Sequence, residues 1–598
     1  MPIFIDPPGS FCFPLCVNRS SNCLLTTFLI TTAFCAPPPS PDLIIHGGEV
    51  VTMSAENEPA PEAVLIRDGR IAHVGKAADI LALGDERTRV LDLNGRVLLP
   101  GFIASHTHPE LSAYLHAFVD LSGFRHRRPE QVWSALREAV AGAEPGQWIF
   151  CKGFDPMLVP GLKAPTIQEL DRIAPENPVV IVAQSLHSAW ANSRGFAAMG
   201  ITADTPDAGP GSYYEKDAQG RLTGLIVEVA AMEPIQKVAL GQIDIKAGMQ
   251  AVMREYAANG ITSIATAGLF AKDSRPLLLL EHLSTRSPGF KHHALELIGL
   301  LPRRVPTVRN FVYIKGDTPF LLPDSTDNGD DFFRIVGVKL WYDGSPYIGS
   351  MYLEEPYLDS ELTREGLKVP PGSRGKSVLP REEFREQIRA YHEQGWQLAI
   401  HSQGDAAARE VVAELGAMLD EAPRKDHRHR LEHGLLIPGE LMQTIQARGL
   451  TPSLHVNHLY YYGEALRDGI LGPARAARIL PAASARAANV VVTLHADQPM
   501  YPEDPLSLMA TAVTRTTRNG NSLSGAEALS ALEALRTLTI DGAWQLKMED
   551  SLGSIEVGKY ADLVVLDRNP LRVEPARLRE IQVERTFVAG EEIWAREP

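Results

Sequence analysis

The feature of this 598-residue sequence that most restricts its fold is the alternation of short apolar runs with amphipathic helical stretches. Residues 381–395 and 404–419 have the spacing of amphipathic helices, and the runs between such stretches have the length and composition of buried strands. Alternating β and α segments pair their strands in parallel, and this many units predicts an α/β fold, a (β/α)8 TIM-like barrel within residues 99–540. The strand-like runs include GITSIATAG, FRIVGVKLW, WQLAIHSQG, HRLEHGLL, GLTPSLHV and VVVTLHADQP.

The two ends of the chain predict a second, smaller folded unit. In residues 42–98 and 541–598, apolar and polar residues alternate between Gly-rich turns, which is typical of short β-strands. We therefore predict a small β-sandwich domain built from both chain ends. Residues 110–245 are too long for one connection between a strand and a helix, so they predict an insertion after the first barrel strand, beside the barrel mouth, with the role of a lid.

Composition favours an acidic enzyme over a nucleic-acid-binding protein. The chain has 58 Lys and Arg against 73 Asp and Glu, which gives a formal net charge of −15. Without a strongly basic run to neutralise phosphates, binding to nucleic acid is not expected. The sequence also lacks a G-x-G-x-x-G after a strand, a P-loop and a G-x-S-x-G motif, which argues against dinucleotide, phosphate and serine-hydrolase sites.

Residues 1–41 are expected to lie outside the fold. Their apolar centre, residues 24–34, is too short and too polar to span a bilayer, so no membrane association is predicted. The segment resembles a signal sequence only weakly, because Arg19 is its one positive charge and Asp6 opposes it. We expect this segment to be an extension of the folded protein, either disordered or created by a start codon assigned too early. We expect a cytoplasmic protein, and export is the open alternative. Four cysteines in this segment match no standard zinc spacing: Cys12, Cys16, Cys23 and Cys35.

Polar residues stand where the apolar runs of the barrel end. His106 and His108 close the run VLLPGFIAS, and residues i and i+2 of a strand point to the same face. His401, His433 and Asp497 close later runs. Because a barrel gathers the carboxyl ends of its strands at one mouth, these side chains predict a metal site there. The alternatives are core histidines bonded to carbonyl groups and, for Asp497, a helix N-cap.

Lys339 interrupts the apolar run FRIVGVKLW. A buried ammonium group is costly unless it is neutralised or paired. Carboxylation of its Nζ, to N6-carboxylysine, would make it an anionic bridge between two metal ions. A buried salt bridge to Asp343 or to a neighbouring acid is the alternative.

With these residues in view, the chain resembles the amidohydrolase superfamily, in the amidohydrolase 3 branch of YtcJ-like and N-substituted formamide deformylase-like proteins. The resemblance runs from about residue 42 to the end of the chain. Its motifs are LPGFIASHTHPEL, GQWIFCKGFD, GVKLWYDGSP, GWQLAIHSQGDAA, RHRLEHG, HADQPMYPEDPL and GSIEVGKYADLVVLDRNPL.

The resemblance implies how the six polar residues would hold divalent metal, with zinc the first choice for a His-rich site. His106, His108 and Asp497 would hold one ion, His401 and His433 a second, and carboxylated Lys339 would bridge them; one ion or two are both compatible with the family. The chain departs from many relatives elsewhere, and these departures leave substrate identity open. They are His455 where Gln is common, His495 where Gly-Ser is common, and Ala265-Thr266 where His-Asp is common.

The function that the resemblance implies is that of an amidohydrolase. It would hydrolyse a non-peptide carbon–nitrogen bond, in an amide or formamide, with a metal-activated hydroxide. Asp497 would take the proton from the water and pass it to the leaving nitrogen. The expected partners are a small-molecule amide or formamide substrate and a second copy of the chain in a homodimer. The alternatives are a related hydrolase of esters, lactones or cyclic amides, and a non-catalytic binding protein on the same barrel.

His187 and His458 are further catalytic candidates, since the matching positions in relatives lie near the pocket, and Glu228 is a possible inward-facing acid. By contrast, residues 427–430 predict a solvated junction between a helix and a strand. Aromatic residues that follow strand ends are predicted to line an apolar mouth suited to a hydrophobic N-substituent. They are Trp190, Trp341, Tyr342, Tyr460, Tyr461 and Tyr462.

Overall fold

The computed structural model describes residues 42–54, 60–209 and 211–597. The N-terminal extension 1–41, with its weak signal-like pattern and its four cysteines, lies outside these ranges. In the part of the chain that is described, no helix combines the length and the apolar character needed to cross a membrane.

Eight parallel strands form the central sheet, and their order in the sheet is their order along the chain. The first and last of them meet where the Ser105 hydroxyl donates to the Leu494 carbonyl, at 3.1 Å. This sheet confirms the predicted TIM-like barrel. Its strands are β1 Phe102–Thr107, β2 Ile261–Leu269, β3 Arg309–Lys315, β4 Phe333–Trp341, β5 Gln397–Ser402, β6 Arg430–His433, β7 Thr451–Leu454 and β8 Thr493–Leu494.

The barrel strands are buried on both faces, as is typical of parallel sheets covered by helices. Every residue of β2, for example, is buried. The two helices predicted from amphipathic spacing are present as Arg381–Glu393 and Asp405–Glu421. The other α-helices from residue 245 onward are Ile245–Ala258, Arg275–Ser284, Phe290–Leu297, Met442–Ala447, Asn457–Ala465, Pro473–Ala476, Ala482–Ala487, Pro505–Thr514, Ala531–Thr537 and Ile540–Gln545. Two π-helical turns lie at Leu362–Gly366 and Leu466–Ile470. The 3-10 turns lie at Pro319–Leu321, Pro346–Ile348, Gly439–Leu441, Gly525–Glu527 and Pro575–Glu580.

A six-stranded sheet lies in the chain between β1 and β2, in the segment predicted as an insertion. It touches the loop after β8, because the Gln184 amide donates to the Met500 carbonyl at 2.7 Å. Its strands are Val119–Asp120, Ile149–Phe154, Val179–Ala183, Ser188–Ala191, Tyr213–Lys216 and Leu222–Val227, and the helices of this segment are Pro109–His116, Pro129–Ala141, Ile167–Ile173, Ser193–Met199 and Glu233–Leu240.

Two smaller sheets are built from the ends of the chain. In the five-stranded one, Val97–Pro100 pairs antiparallel with Leu563–Leu566. The run VLLPGFIAS is therefore divided at Gly101, with its first part in this sheet and the rest in β1. Buried apolar residues of both sheets share one cluster. The remaining strands are Leu43–His46, Glu49–Val50, Ala63–Arg67, Arg70–Gly75, Arg89–Asp92, Val583–Val588 and Glu591–Ala595, and the helix Ala77–Leu81 lies among them.

The run at 427–430 is not the solvated junction expected from its charge. His427 and His429 are buried and form a chain of hydrogen bonds with His392. His392 donates from Nε2 to the Ala422 carbonyl, and its Nδ1 accepts from Nε2 of His429 at 2.9 Å. Because each ring donates from one nitrogen and accepts at the other, the network holds all three imidazoles neutral.

The Nδ1 atom of His427 accepts the backbone N–H of His429, and its Nε2 donates to the Arg448 carbonyl. Burial lowers the pKa of His427 to about 4. The unfolded chain binds a proton at this residue below a pH of about 6.5, whereas the folded chain does not until the pH nears its own lower pKa. The free energy of unfolding therefore falls as the pH drops from 6.5 toward 4, with a slope of up to about 1.4 kcal/mol per pH unit for this histidine.

We expect His427→Gln to lower the slope of the unfolding free energy against pH by the equivalent of close to one bound proton. The reason is that the variant lacks the residue that titrates only in the unfolded state. Urea denaturation between pH 4.5 and 7 measures the slope. His73→Gln, at an exposed position, is the matched control and should keep the slope of the unaltered protein. Equal slopes for all three proteins would contradict the assignment.

Candidate metal centre

His106 and His108 lie on one face at the carboxyl end of β1, and Asp497 follows β8 beside them. Asp497 Oδ1 is 3.3 Å from Nε2 of His106 and 3.0 Å from Nε2 of His108. All three residues are buried. Asp497 has a left-handed backbone, with φ at +60°. Such strain persists where surrounding structure holds it, and it is frequent at functional sites.

The orientation of His106 is set by a charged pair beneath it. Its Nδ1 contacts the Glu432 carboxylate, which also receives two hydrogen bonds from Arg430, at 2.6 and 3.1 Å. Burial alone would raise the pKa of Glu432, but Arg430 and His106 lower it to about 2. An ionised carboxylate can only accept, so Nδ1 of His106 carries the proton and Nε2 carries a lone pair.

The donor atoms of this cluster fit a divalent cation. Nε2 of His106 and Oδ1 of Asp497 are both buried, and neither has a hydrogen-bond partner. Two acceptors that face each other in the interior are unfavourable unless something positive lies between them. Together with His108, they form a group whose ligand atoms all lie within 4.8 Å of one another. A carboxylate on the distal nitrogen of a ligating histidine is also the usual support of such a site.

Burial alone would raise the pKa of Asp497, but the positive charge and N–H groups that His106, His108 and His433 present when protonated outweigh it and hold that pKa well below its usual value. The residue is therefore an anion at neutral pH. This is the form that binds a cation or accepts a proton.

Lys339 is buried in β4, and its Nζ is 3.5 Å from Nε2 of His433. Burial lowers the pKa of Lys339 to about 8, so part of the amine is uncharged near neutral pH. Asp343, the alternative salt-bridge partner, instead accepts backbone N–H groups of Tyr352, Gln403 and Gly404 at 2.9 to 3.0 Å. The geometry thus places Lys339 against the histidine cluster.

His401 lies beside the cluster, with its ring turned elsewhere. The ring centroid is 4.3 Å from that of His433. Its Nε2, however, is 3.4 Å from the Gly344 carbonyl and 3.8 Å from Oδ1 of Asp343. Among the described residues, the groups with metal-binding spacing contain His106, His108, His433 and Asp497, and they do not contain His401.

Two further histidines join the cluster. His495 stacks on His106 with ring centroids 4.6 Å apart, and its Nε2 is 3.2 Å from Nδ1 of His433. His455 lies on the other side of Asp497, with Nδ1 3.9 Å from Oδ2. The sequence offered a signal for His495, because it stands two residues before Asp497. Arg430 and Glu432 also stand two residues apart, at the start of β6, so the same spacing could have indicated that they share one face of a strand.

The ring nitrogens of His458 are both engaged by the protein. Nδ1 lies 2.8 Å from the Tyr347 hydroxyl and 2.9 Å from the Tyr501 hydroxyl, and Nε2 lies 3.2 Å from the side-chain amide of Gln403. Both nitrogens of this ring are therefore occupied by contacts within the protein.

His187 belongs to the segment between β1 and β2. Its Nδ1 is 3.0 Å from the Glu228 carboxylate, and the two side chains are 38% and 44% exposed. Glu228 has a left-handed backbone, with φ at +67°. The pair is accessible to solvent, in contrast to the histidines of the cluster.

The aromatic residues predicted to line the mouth differ in what they pack against. Tyr461 and Tyr501 stack at 5.4 Å, and Phe124 packs on both of them. Tyr342 points away from the mouth, because it packs at 4.5 Å on Phe384. Trp190 packs at 5.1 Å on Phe154 within the insertion segment. The prediction that Tyr342 lines the mouth is wrong, since alternate residues at a strand end face opposite sides.

A parallel barrel that gathers imidazoles and a carboxylate at the carboxyl ends of its strands is an arrangement on which metal-dependent hydrolases are built. The sequence profile of the amidohydrolase family matches residues 89–593. This chain belongs to that family, in its amidohydrolase 3 branch.

Two named relatives are similar to this chain over almost their whole length. N-substituted formamide deformylase of Arthrobacter pascens is 28% identical over 567 residues, which are 92% of this chain and 97% of that protein. Putative amidohydrolase YtcJ of Bacillus subtilis (strain 168) is 25% identical over 570 residues, 92% of this chain and 99% of that one.

A solved structure shows the same fold. It is described as an uncharacterized metal-dependent hydrolase from Pyrococcus furiosus, and it matches with a TM-score of 0.66 at 22% sequence identity. The match covers 89% of this chain and 100% of that one.

We expect Glu432→Gln to weaken zinc binding by about 10- to 100-fold, because a neutral amide no longer holds the proton on Nδ1 of His106. Competition with a chromogenic chelator measures the affinity, and circular dichroism checks the fold. Glu228→Gln removes a carboxylate that contacts His187, outside the cluster, and is the matched control. Equal affinity in the two variants would show that Glu432 does not orient a ligand.

Proposed function

We propose that this protein hydrolyses a non-peptide carbon–nitrogen bond in an amide or formamide, as a metal-dependent amidohydrolase. The observation that carries the proposal is the buried group of His106, His108 and Asp497, whose facing acceptor atoms lack hydrogen-bond partners. The name of the Arthrobacter pascens relative, N-substituted formamide deformylase, supports the substrate class.

The proposed cofactor is zinc, as one ion or two. His106, His108 and Asp497 would hold the first ion, and His433, His401 and Lys339 would serve the second, with Lys339 as N6-carboxylysine. When bound, a divalent ion would supply Lewis-acid chemistry, which lowers the pKa of a water to near ~7 and would favour attack on the carbonyl group of the substrate.

The chain itself contributes the proton transfers. Asp497 is held ionised by the neighbouring imidazoles, so it accepts the proton of the attacking water. It then returns the proton to the nitrogen, since an amine leaves readily only when protonated. His458 acts through the hydroxyls of Tyr347 and Tyr501 to orient the carbonyl oxygen, and the accessible His187 bonds the substrate at the mouth.

The segment between β1 and β2 would act as a lid, and the two sheets from the chain ends would form a β-sandwich domain. The contact of Gln184 with the Met500 carbonyl supports the first proposal, since it ties that segment to the loop that carries Asp497. The apolar cluster shared by the two sheets supports the second. A homodimer is proposed from the family resemblance.

Asp497→Asn should lower kcat by at least about 100-fold while much of the bound zinc remains, because an amide cannot accept the proton of the water. Release of amine from N-benzylformamide measures turnover, and metal analysis of the same sample measures zinc. Asp359→Asn, at a carboxylate with 68% exposure, is the control and should keep full activity. An active Asp497→Asn protein would refute the proton-transfer role.

The stacked aromatic residues Phe124, Tyr461 and Tyr501 favour a substrate with a hydrophobic N-substituent. We expect kcat/KM for N-benzylformamide to exceed that for N-methylformamide by about 10-fold or more, since burying a phenyl group contributes ~2 kcal/mol. Steady-state rates on the two compounds test this. A preference for the methyl compound, or for charged peptides, would place the aromatic group outside the binding site.

A further inference from the structure

We propose that His455 is an additional metal ligand, on the side of Asp497 opposite to His106 and His108. The inference rests on the proposed metal-dependent function. It concerns a residue for which the family resemblance gives no metal-binding role, because Gln is common at this position in relatives.

The tautomer of His455 is set by the backbone. Its Nε2 is 2.8 Å from the carbonyl oxygen of Ala496. A carbonyl oxygen only accepts, so Nε2 carries the proton and Nδ1 carries a lone pair. The side chain is 2% exposed, and Nδ1 is buried without a hydrogen-bond partner. Such an atom is costly in the interior unless it receives a proton donor or a cation.

The lone pair of His455 faces another acceptor. Nδ1 is 3.9 Å from Oδ2 of Asp497, and Nδ1 of His433 is 3.8 Å from the same oxygen. These separations are too long for hydrogen bonds. Two atoms that each lie ~2.1 Å from one ion in tetrahedral coordination are roughly 3.4 Å apart, so the spacing is close to that of ligands sharing an ion. His433, His455 and Asp497 form a group with all ligand atoms within 4.8 Å.

Asp497 thus presents its two oxygens to two different pairs of histidines. Oδ1 faces His106 and His108, and Oδ2 faces His433 and His455. The second set contains His455 at the place that the sequence pattern suggested for His401. The carboxylate of Asp497 would then be shared between two ion positions.

The test uses His455→Gln. The Gln side chain is of similar length and retains an amide N–H for the Ala496 carbonyl, but it has no counterpart of the Nδ1 lone pair. His187→Gln makes the same exchange at the partly exposed histidine outside the cluster and is the matched control. Zinc binding is measured by chelator competition, and the coordination is followed by the visible spectrum of the cobalt(II)-substituted protein.

His455→Gln should bind one zinc equivalent at least 100-fold more weakly and should change the cobalt(II) spectrum. His187→Gln should match the unaltered protein in both measurements. His455→Asn, which returns an oxygen close to the position of Nδ1, should recover part of the affinity and guards against a folding defect in the Gln variant.

Unchanged zinc affinity together with an unchanged cobalt(II) spectrum in His455→Gln would overturn the assignment of His455 and leave the proposed function intact. A protein that binds no zinc even before substitution would overturn the proposed function as well. The two failures are therefore distinguishable.

Discussion

The buried contact between the Glu432 carboxylate and Nδ1 of His106 is the interaction on which the chemistry of the barrel mouth depends. Two charges in the interior, on Glu432 and Arg430, are costly to desolvate and are retained where their hydrogen bonds are satisfied. Each nitrogen of Arg430 has a partner here, since Arg430 also bonds the Ser105 carbonyl and the Tyr313 hydroxyl. The pair joins β6 to β1 and β3 and leaves the lone pair of His106 directed at Asp497.

Asp497 is the second constraint. It follows the shortest barrel strand in a left-handed conformation, and the loop after it is held by Gln184 from the insertion segment. Its two carboxylate oxygens face opposite sides of the cluster. The position of one acidic side chain therefore links the first barrel strand, the sixth and the insertion segment.

The histidines of this chain show how hydrogen bonding separates structural from chemical roles. In the group of His392, His427 and His429, each ring nitrogen has a protein partner, and the group has no lone pair to offer a ligand. In the mouth, His106 and His455 each keep one nitrogen without a partner. Both groups are buried, so burial alone does not distinguish them.

The alternation of strands and helices follows from the amino-acid pattern alone, and with it follow the barrel and the strand ends at which polar residues meet. His106, His108, His433 and Asp497 were predictable in this way, because the carboxyl ends of parallel strands share one edge. Contacts between distant parts of the chain set the direction of the His401 ring, the burial of residues 427–430 and the approach of His455 to Asp497. These depend on ring rotation and on donors from distant strands, which spacing along the chain does not encode.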